Sequence, residues 1–181
     1  DLLWNSFHVY PVERLIGEIN GQFTYGGWAP VQYMFRNLDS DDLHAYYRAA
    51  QIALVTPIKD GMNLVAKEYC ACNLEEEGVL ILSEFAGAAS QLQKGALLVN
   101  PHDIEGVAEA IYKAFTMHPD ERRLRMRRLR DSIRKHDIFW WVDSYLAAAF
   151  SKKLGDFPTE EEYVPDIRLG REQTVDLAAS I

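Results

Sequence analysis

Apolar residues recur along this chain with two periods. Over Val12–Phe23, the positions Val12, Leu15, Ile16, Ile19 and Phe23 fall on one face of a helix. Paired glycines and a proline in "TYGGWAP" break that pattern, and Val31–Phe35 follows as a short β-rich run. "NLDSDDLHAYYRAA" supplies capping residues ahead of a second helix, with Leu43, Tyr46, Tyr47 and Ala50 as its apolar stripe. Ile52–Val55 is then uninterruptedly apolar, the pattern of a strand buried on both faces of a parallel sheet.

The alternation continues. A helix over Asn63–Asn73 leads through the acidic "LEEEG" to a strand at Val79–Leu82, and "SEFAGAASQL" gives a loop and a short helix. A strand follows at Ala96–Val99, then a helix at Ile104–Thr116 capped by Asp103. Short apolar strands alternating with helices predict an α/β fold, a Rossmann-like parallel sheet with helices on both faces. Pro119 suits the first turn of the next helix, whose inner stripe is Leu124, Leu129 and Ile133, and an aromatic-rich helix closes the pattern over Ile138–Lys153. Residues 1–153 thus read as one domain ending in long helices. Residues 154–181 mix prolines, glycines and acids without a period and read as an acidic, flexible tail.

Charge narrows the partners. A formal net charge of −8 repels nucleic acid and anionic membranes at long range, so small molecules or proteins are the expected partners. The absence of an apolar run of about 20 residues and of a basic leader predicts a cytoplasmic protein. Cys70 and Cys72 sit one residue apart on a predicted helix and face apart, so they read as packing residues and not as a disulfide or zinc site. The histidines have no ligand spacing, and no metal is expected. The Arg and Lys run between Arg122 and Lys135 keeps an ordinary leucine stripe and reads as a solvated helix face.

"TPIKDGMN" lies where an open parallel sheet places its ligand crevice, at the carboxyl end of a strand. The first amides of the following helix, around Asn63 to Val65, lack intrahelical acceptors and sit at the positive end of the helix dipole, which suits a phosphate. Gly61 lets a ligand approach the backbone, and Asp60 and Asn63 carry groups suited to sugar hydroxyls. Glu68, about one turn further on, can reach a ribose-like diol. Phosphate, hydroxyls and diol together describe a nucleotide sugar. The same residues also read as a turn aspartate, a helix cap and a solvated glutamate, and spacing alone does not choose between the two.

The stretches "INGQFTYGGWAPVQYMF", "TPIKDGMNLVAKEY", "GVLILSEFAGAASQL" and "ALLVNPHDIEGVAEAI" resemble the C-terminal half of the trehalose-6-phosphate synthases, retaining family 20 glycosyltransferases of the GT-B type, from about Val12 to about Phe150. The resemblance implies that Asp60, Gly61, Met62 and Asn63 hold the glucosyl part of UDP-glucose. It implies that the amides of Leu64 and Val65 meet the diphosphate, that Glu68 binds the ribose hydroxyls, and that Leu38 and Leu43 pack near the uracil. The implied reaction transfers glucose from UDP-glucose to glucose 6-phosphate with retention, giving trehalose 6-phosphate and UDP, without a metal or cofactor. In the family the acceptor-binding domain, a catalytic histidine and an Arg/Lys pair on the diphosphate precede this stretch. The resemblance therefore implies a donor-binding portion, partnered by an N-terminal acceptor domain and inactive alone, with no catalytic residue in this segment. Glucosylglycerol-phosphate synthase, which shares the donor block, and a non-catalytic regulatory subunit that keeps the fold stand as alternatives, and homo-oligomer formation is left open.

Overall fold

The computed structural model describes residues 2–150, which divide at Asp39 and Ser40 into two units. In the first, helix α1 (Leu2–Phe23) leads into a tight turn where Tyr25 and Trp28 bridge antiparallel, each amide donating to the other's carbonyl at 3.2 and 3.0 Å. Gly26 and Gly27 close that turn at φ +57° and +85°, a region glycine enters without a Cβ penalty. Asn20 then ties the exit segment back to the helix. Its side-chain amide donates to the Val31 carbonyl and its oxygen accepts from the Val31 amide, both at 2.9 Å.

Two expectations are corrected in this unit. The helix starts at Leu2 instead of Val12 and carries Pro11 inside it: proline's fixed φ is compatible with a helix, and the cost it adds there is one lost i→i−4 hydrogen bond and crowding of the carbonyl one turn earlier. Val31–Phe35 is not a strand: it has no ladder partner among the described residues, and both backbone polar groups of Val31 are taken by Asn20. β-propensity describes fit to a pleated surface, and without a neighbouring strand it fixes nothing.

The second unit is a three-stranded parallel sheet in the order β1 (Ile52–Val55), β2 (Val79–Ser83), β3 (Leu97–Val99). Ile52 pairs with Val79 and Val55 with Leu82, while Ile81 pairs with Leu97 and Ser83 with Val99. Around it run α2 (Ser40–Ala49), α3 (Leu64–Cys72), the short α4 (Ala89–Leu92), α5 (Ile104–Thr116), α6 (Pro119–Lys135) and α7 (Ile138–Phe150). Residues 151–181, which hold the expected tail and the end of the last predicted helix, lie outside the described residues.

Period-two alternation along β2 divides the core. Leu80 and Leu82 pack with Ala66, Tyr69 and Cys70 of α3 and Met126 and Leu129 of α6, whereas Val79 and Ile81 pack with Leu97, Val99, Ala114 and Met117 on the α5 side. Helices therefore cover both faces, as the alternating pattern predicts. β2 is fully buried, but β1 is not, since Leu54 is 46% exposed and its neighbours are half-buried. Among the described residues β1 is an edge strand of this sheet, and the expectation of burial on both faces fails there.

The basic run is structural. Arg127 pairs with Glu76, Arg123 with Glu77 and Arg125 with Glu121, while Arg48 of α2 pairs with Glu75. Two glutamates of the acidic "LEEEG" loop, Glu76 and Glu77, thus find their counter-ions on α6, and the third, Glu75, finds its own on α2. Arg130 does something different: its Nη1 donates to the carbonyls of Cys70, Ala71 and Asn73 at 3.1, 2.8 and 3.0 Å, at the end of α3 where orphan carbonyls and negative dipole charge collect. Cys70 is buried in the core, which pushes its thiol up to about 12. No helix among the described residues is long and apolar enough to cross a membrane.

Candidate functional site

The loop joining β1 to α3 is shaped from within. One carboxylate oxygen of Asp60, Oδ1, accepts from the amides of Met62 and Asn63 at 3.0 and 2.8 Å, and Oδ2 accepts from the Asn63 side-chain amide at 2.9 Å. Asn63 itself adopts φ +63°, a left-handed conformation that asparagine tolerates, and its Oδ1 caps α3 by accepting from Ala66 N at 2.9 Å. The turn and cap readings of Asp60 and Asn63 are thus realised in the geometry, and both side chains are anchored as a pair.

That capping has a consequence for the next two amides. Of the first-turn N–H groups, the cap takes Ala66 and leaves Leu64 and Val65 without an intrahelical acceptor. Their side chains are 57% and 46% exposed, so the helix start opens to solvent, and the dipole adds partial positive charge there. Gly61 adjoins this opening: a Cβ built on it would meet nothing within 4 Å. Met62 is also exposed.

A second loop braces the first. Gly87 N donates to the Asp60 carbonyl at 2.8 Å, and Asp60 bridges to Ala86 in parallel fashion. A Cβ on Gly87 would overlap the Gly61 carbonyl oxygen and stand 2.6 Å from its carbon, so only glycine permits this approach. The loop after β2 is joined to the end of β3 by Glu84 N, which donates to the Val99 carbonyl at 3.0 Å, and by the rings of Phe85 and His102 at 6.1 Å. The three carboxyl ends therefore form one connected rim.

Glu68 lies on α3 one turn past Leu64, exposed, with its Oε2 accepting from the Tyr47 hydroxyl of α2 at 3.1 Å. Burial, then the hydrogen bond and charge of Glu68, push the Tyr47 phenol up to about 12. Sequence periodicity placed Tyr47 only in an apolar stripe. A hydroxyl at the end of a core-packed ring was the available hint, but the 21-residue separation from Glu68 leaves no local pattern. Leu43 is half-buried on α2, and Leu38 is half-buried in the first unit. The described residues contain no His/Cys/Asp/Glu cluster able to hold a metal.

Asp60 carries a pH signature. Its backbone hydrogen bond from Met62 and side-chain bond from Asn63 hold its carboxyl below the usual range. A depressed folded value means that the loop's stabilisation is present above the unfolded pKa and lost as pH falls through the folded one, below about pH 4. We expect Asp60→Asn to flatten the acid limb of a melting-temperature profile over that window. An unchanged limb would mean that the carboxylate does not hold the loop.

An open parallel sheet with helices on both faces and a connected rim of loops at its carboxyl ends defines a Rossmann-like α/β domain. The family model for glycosyltransferase family 20 matches residues 8–150, and the chain belongs to that family. It is 48% identical over 142 residues to a trehalose-6-phosphate synthase of Mycolicibacterium vanbaalenii, covering 78% of this chain and 29% of that protein. A Burkholderia xenovorans α,α-trehalose-phosphate synthase (UDP-forming), solved in complex with glucose-6-phosphate, superposes with a TM-score of 0.72 at 43% identity, covering 76% of this chain and 30% of that one. A structure described as trehalose-6-phosphate from E. coli bound with UDP-2-fluoro glucose superposes with a TM-score of 0.73 at 42% identity, covering 76% and 31%. The chain thus spans about 30% of the length of these relatives.

Proposed function

We propose that this chain is the donor-binding portion of a retaining glycosyltransferase that moves glucose from UDP-glucose to glucose 6-phosphate, giving trehalose 6-phosphate and UDP. The observation that carries this reading is the helix start at Leu64 and Val65, with two uncapped amides, an open approach over Gly61 on one side and the Glu68 carboxylate one turn along. In this reading the diphosphate sits on those amides, which meet the charge that develops on the leaving phosphate. Asp60, Gly61, Met62 and Asn63 hold the glucosyl group, Glu68 takes the ribose diol, and Leu43 serves the uracil. Neither a metal nor a cofactor is required, and the acceptor and remaining charge-stabilising groups come from an N-terminal domain. The relatives solved with glucose-6-phosphate and UDP-2-fluoro glucose support both substrates. A cytoplasmic site of action follows from where such sugar nucleotides and phosphates reside.

Calorimetric titration of UDP and UDP-glucose into the full-length protein carrying this chain tests the reading. Binding that Asp60→Ala and Glu68→Ala each weaken is the expected result. Failure of the wild-type protein to bind either nucleotide would remove the proposal.

A further inference from the structure

Glu68 poses a problem for the role just given to it. A glutamate at an exposed helix position has several rotamers of similar energy, and a diol gains little from a carboxylate that must first be ordered. The contact that resolves this comes from another helix. Tyr47 is half-buried, its ring packs against the core formed by α3, α6 and the sheet, and its hydroxyl, with a single proton to donate, reaches Glu68 Oε2 at 3.1 Å. We propose that Tyr47 is a positioning residue for donor recognition: it fixes the Glu68 carboxylate above the Leu64 and Val65 amides and leaves Oε1 directed to the ribose hydroxyls.

The proposal rests on the donor-site reading and extends it to a residue that touches no ligand. The donor is anchored on a rigid element, since a ring held on several sides cannot follow a wandering carboxylate. Its proton is retained throughout the physiological range, because burial and the adjacent carboxylate raise the phenol to about 12, so the brace is present at every pH at which the site would operate.

The test compares UDP with 2′,3′-dideoxy-UDP as calorimetric ligands of the full-length protein carrying Tyr47→Phe, Glu68→Ala or both. Phenylalanine keeps the packed ring and removes only the hydroxyl, so the fold is retained, and an unchanged melting temperature verifies this. Tyr47→Phe is expected to weaken UDP about two- to tenfold, the effect of releasing one ordered side chain. It should leave the dideoxy nucleotide unaffected and add nothing in the Glu68→Ala background. A merely structural tyrosine would weaken both nucleotides alike, and that result, or no effect on either, would overturn the role of Tyr47. If Glu68→Ala fails to discriminate between the two nucleotides, the ribose assignment itself falls and takes this proposal with it. The two failures are therefore separable.

Discussion

Gly87→Ala is expected to reduce UDP-glucose affinity by about ten- to a hundredfold, the equivalent of the roughly 1–3 kcal/mol that overpacking a close contact typically costs when it falls on the site. The new methyl group would collide with the Gly61 carbonyl, which is backbone and cannot rotate aside, so the loops after β1 and β2 must separate. The Gly87 amide would then lose the Asp60 carbonyl, and overpacking of this kind should also lower stability by about 1–3 kcal/mol. Gly61→Ala supplies the contrast. That glycine has open space around it and no left-handed backbone, so alanine there should change stability by no more than about 0.5 kcal/mol. Yet it should also weaken the nucleotide sugar, because the vacant space is where the ligand is placed. Calorimetry alongside thermal melts separates the two effects. Wild-type affinity in Gly87→Ala would show that the loop contact does not set the site.

The second large effect lies far from the rim. Arg130→Ala is expected to destabilise the fold by about 2–4 kcal/mol, since hydrogen bonds from a charged donor contribute about 1.5–3 kcal/mol and this guanidinium serves three carbonyls. Its Nε is buried without a partner, a cost that the Nη1 bonds must outweigh. Lysine should recover only part of the loss, being a point charge without the planar fork. Arg128, exposed on the same helix, is the control, and its alanine variant should melt within about 0.5 kcal/mol of wild type. Urea denaturation measures all three. Equal midpoints for Arg130→Ala and Arg128→Ala would show that α3 does not depend on this clamp.

What could be read in advance was local. Ile52–Val55 is legible because four apolar residues between turn signals leave few alternatives, and Asn63 and Asp103 are legible as caps because capping is a matter of one side chain and an amide three residues on. The parallel order follows from strands separated by helices. The failures share a different cause. Val31–Phe35 has strand-like residues, but a strand is a property of two segments. The bonds that organise the candidate site, Gly87 to Asp60, Tyr47 to Glu68 and Arg130 to the end of α3, join residues 21 to 60 positions apart and leave no periodic trace. "DGMN" could announce a site, but not which residues hold it in place.

Helix α3 is gripped at both ends, by Asn63 at the start and by Arg130 at the finish. A segment fastened this way has little freedom to slide or tilt, so its leading amides are aimed in part by an anchor at its far end, which belongs to another helix. In a random-mutagenesis screen for weakened nucleotide retention, hits should therefore gather on α6 as well as around the crevice. Residues that never meet the ligand would then carry part of the selective pressure on its affinity.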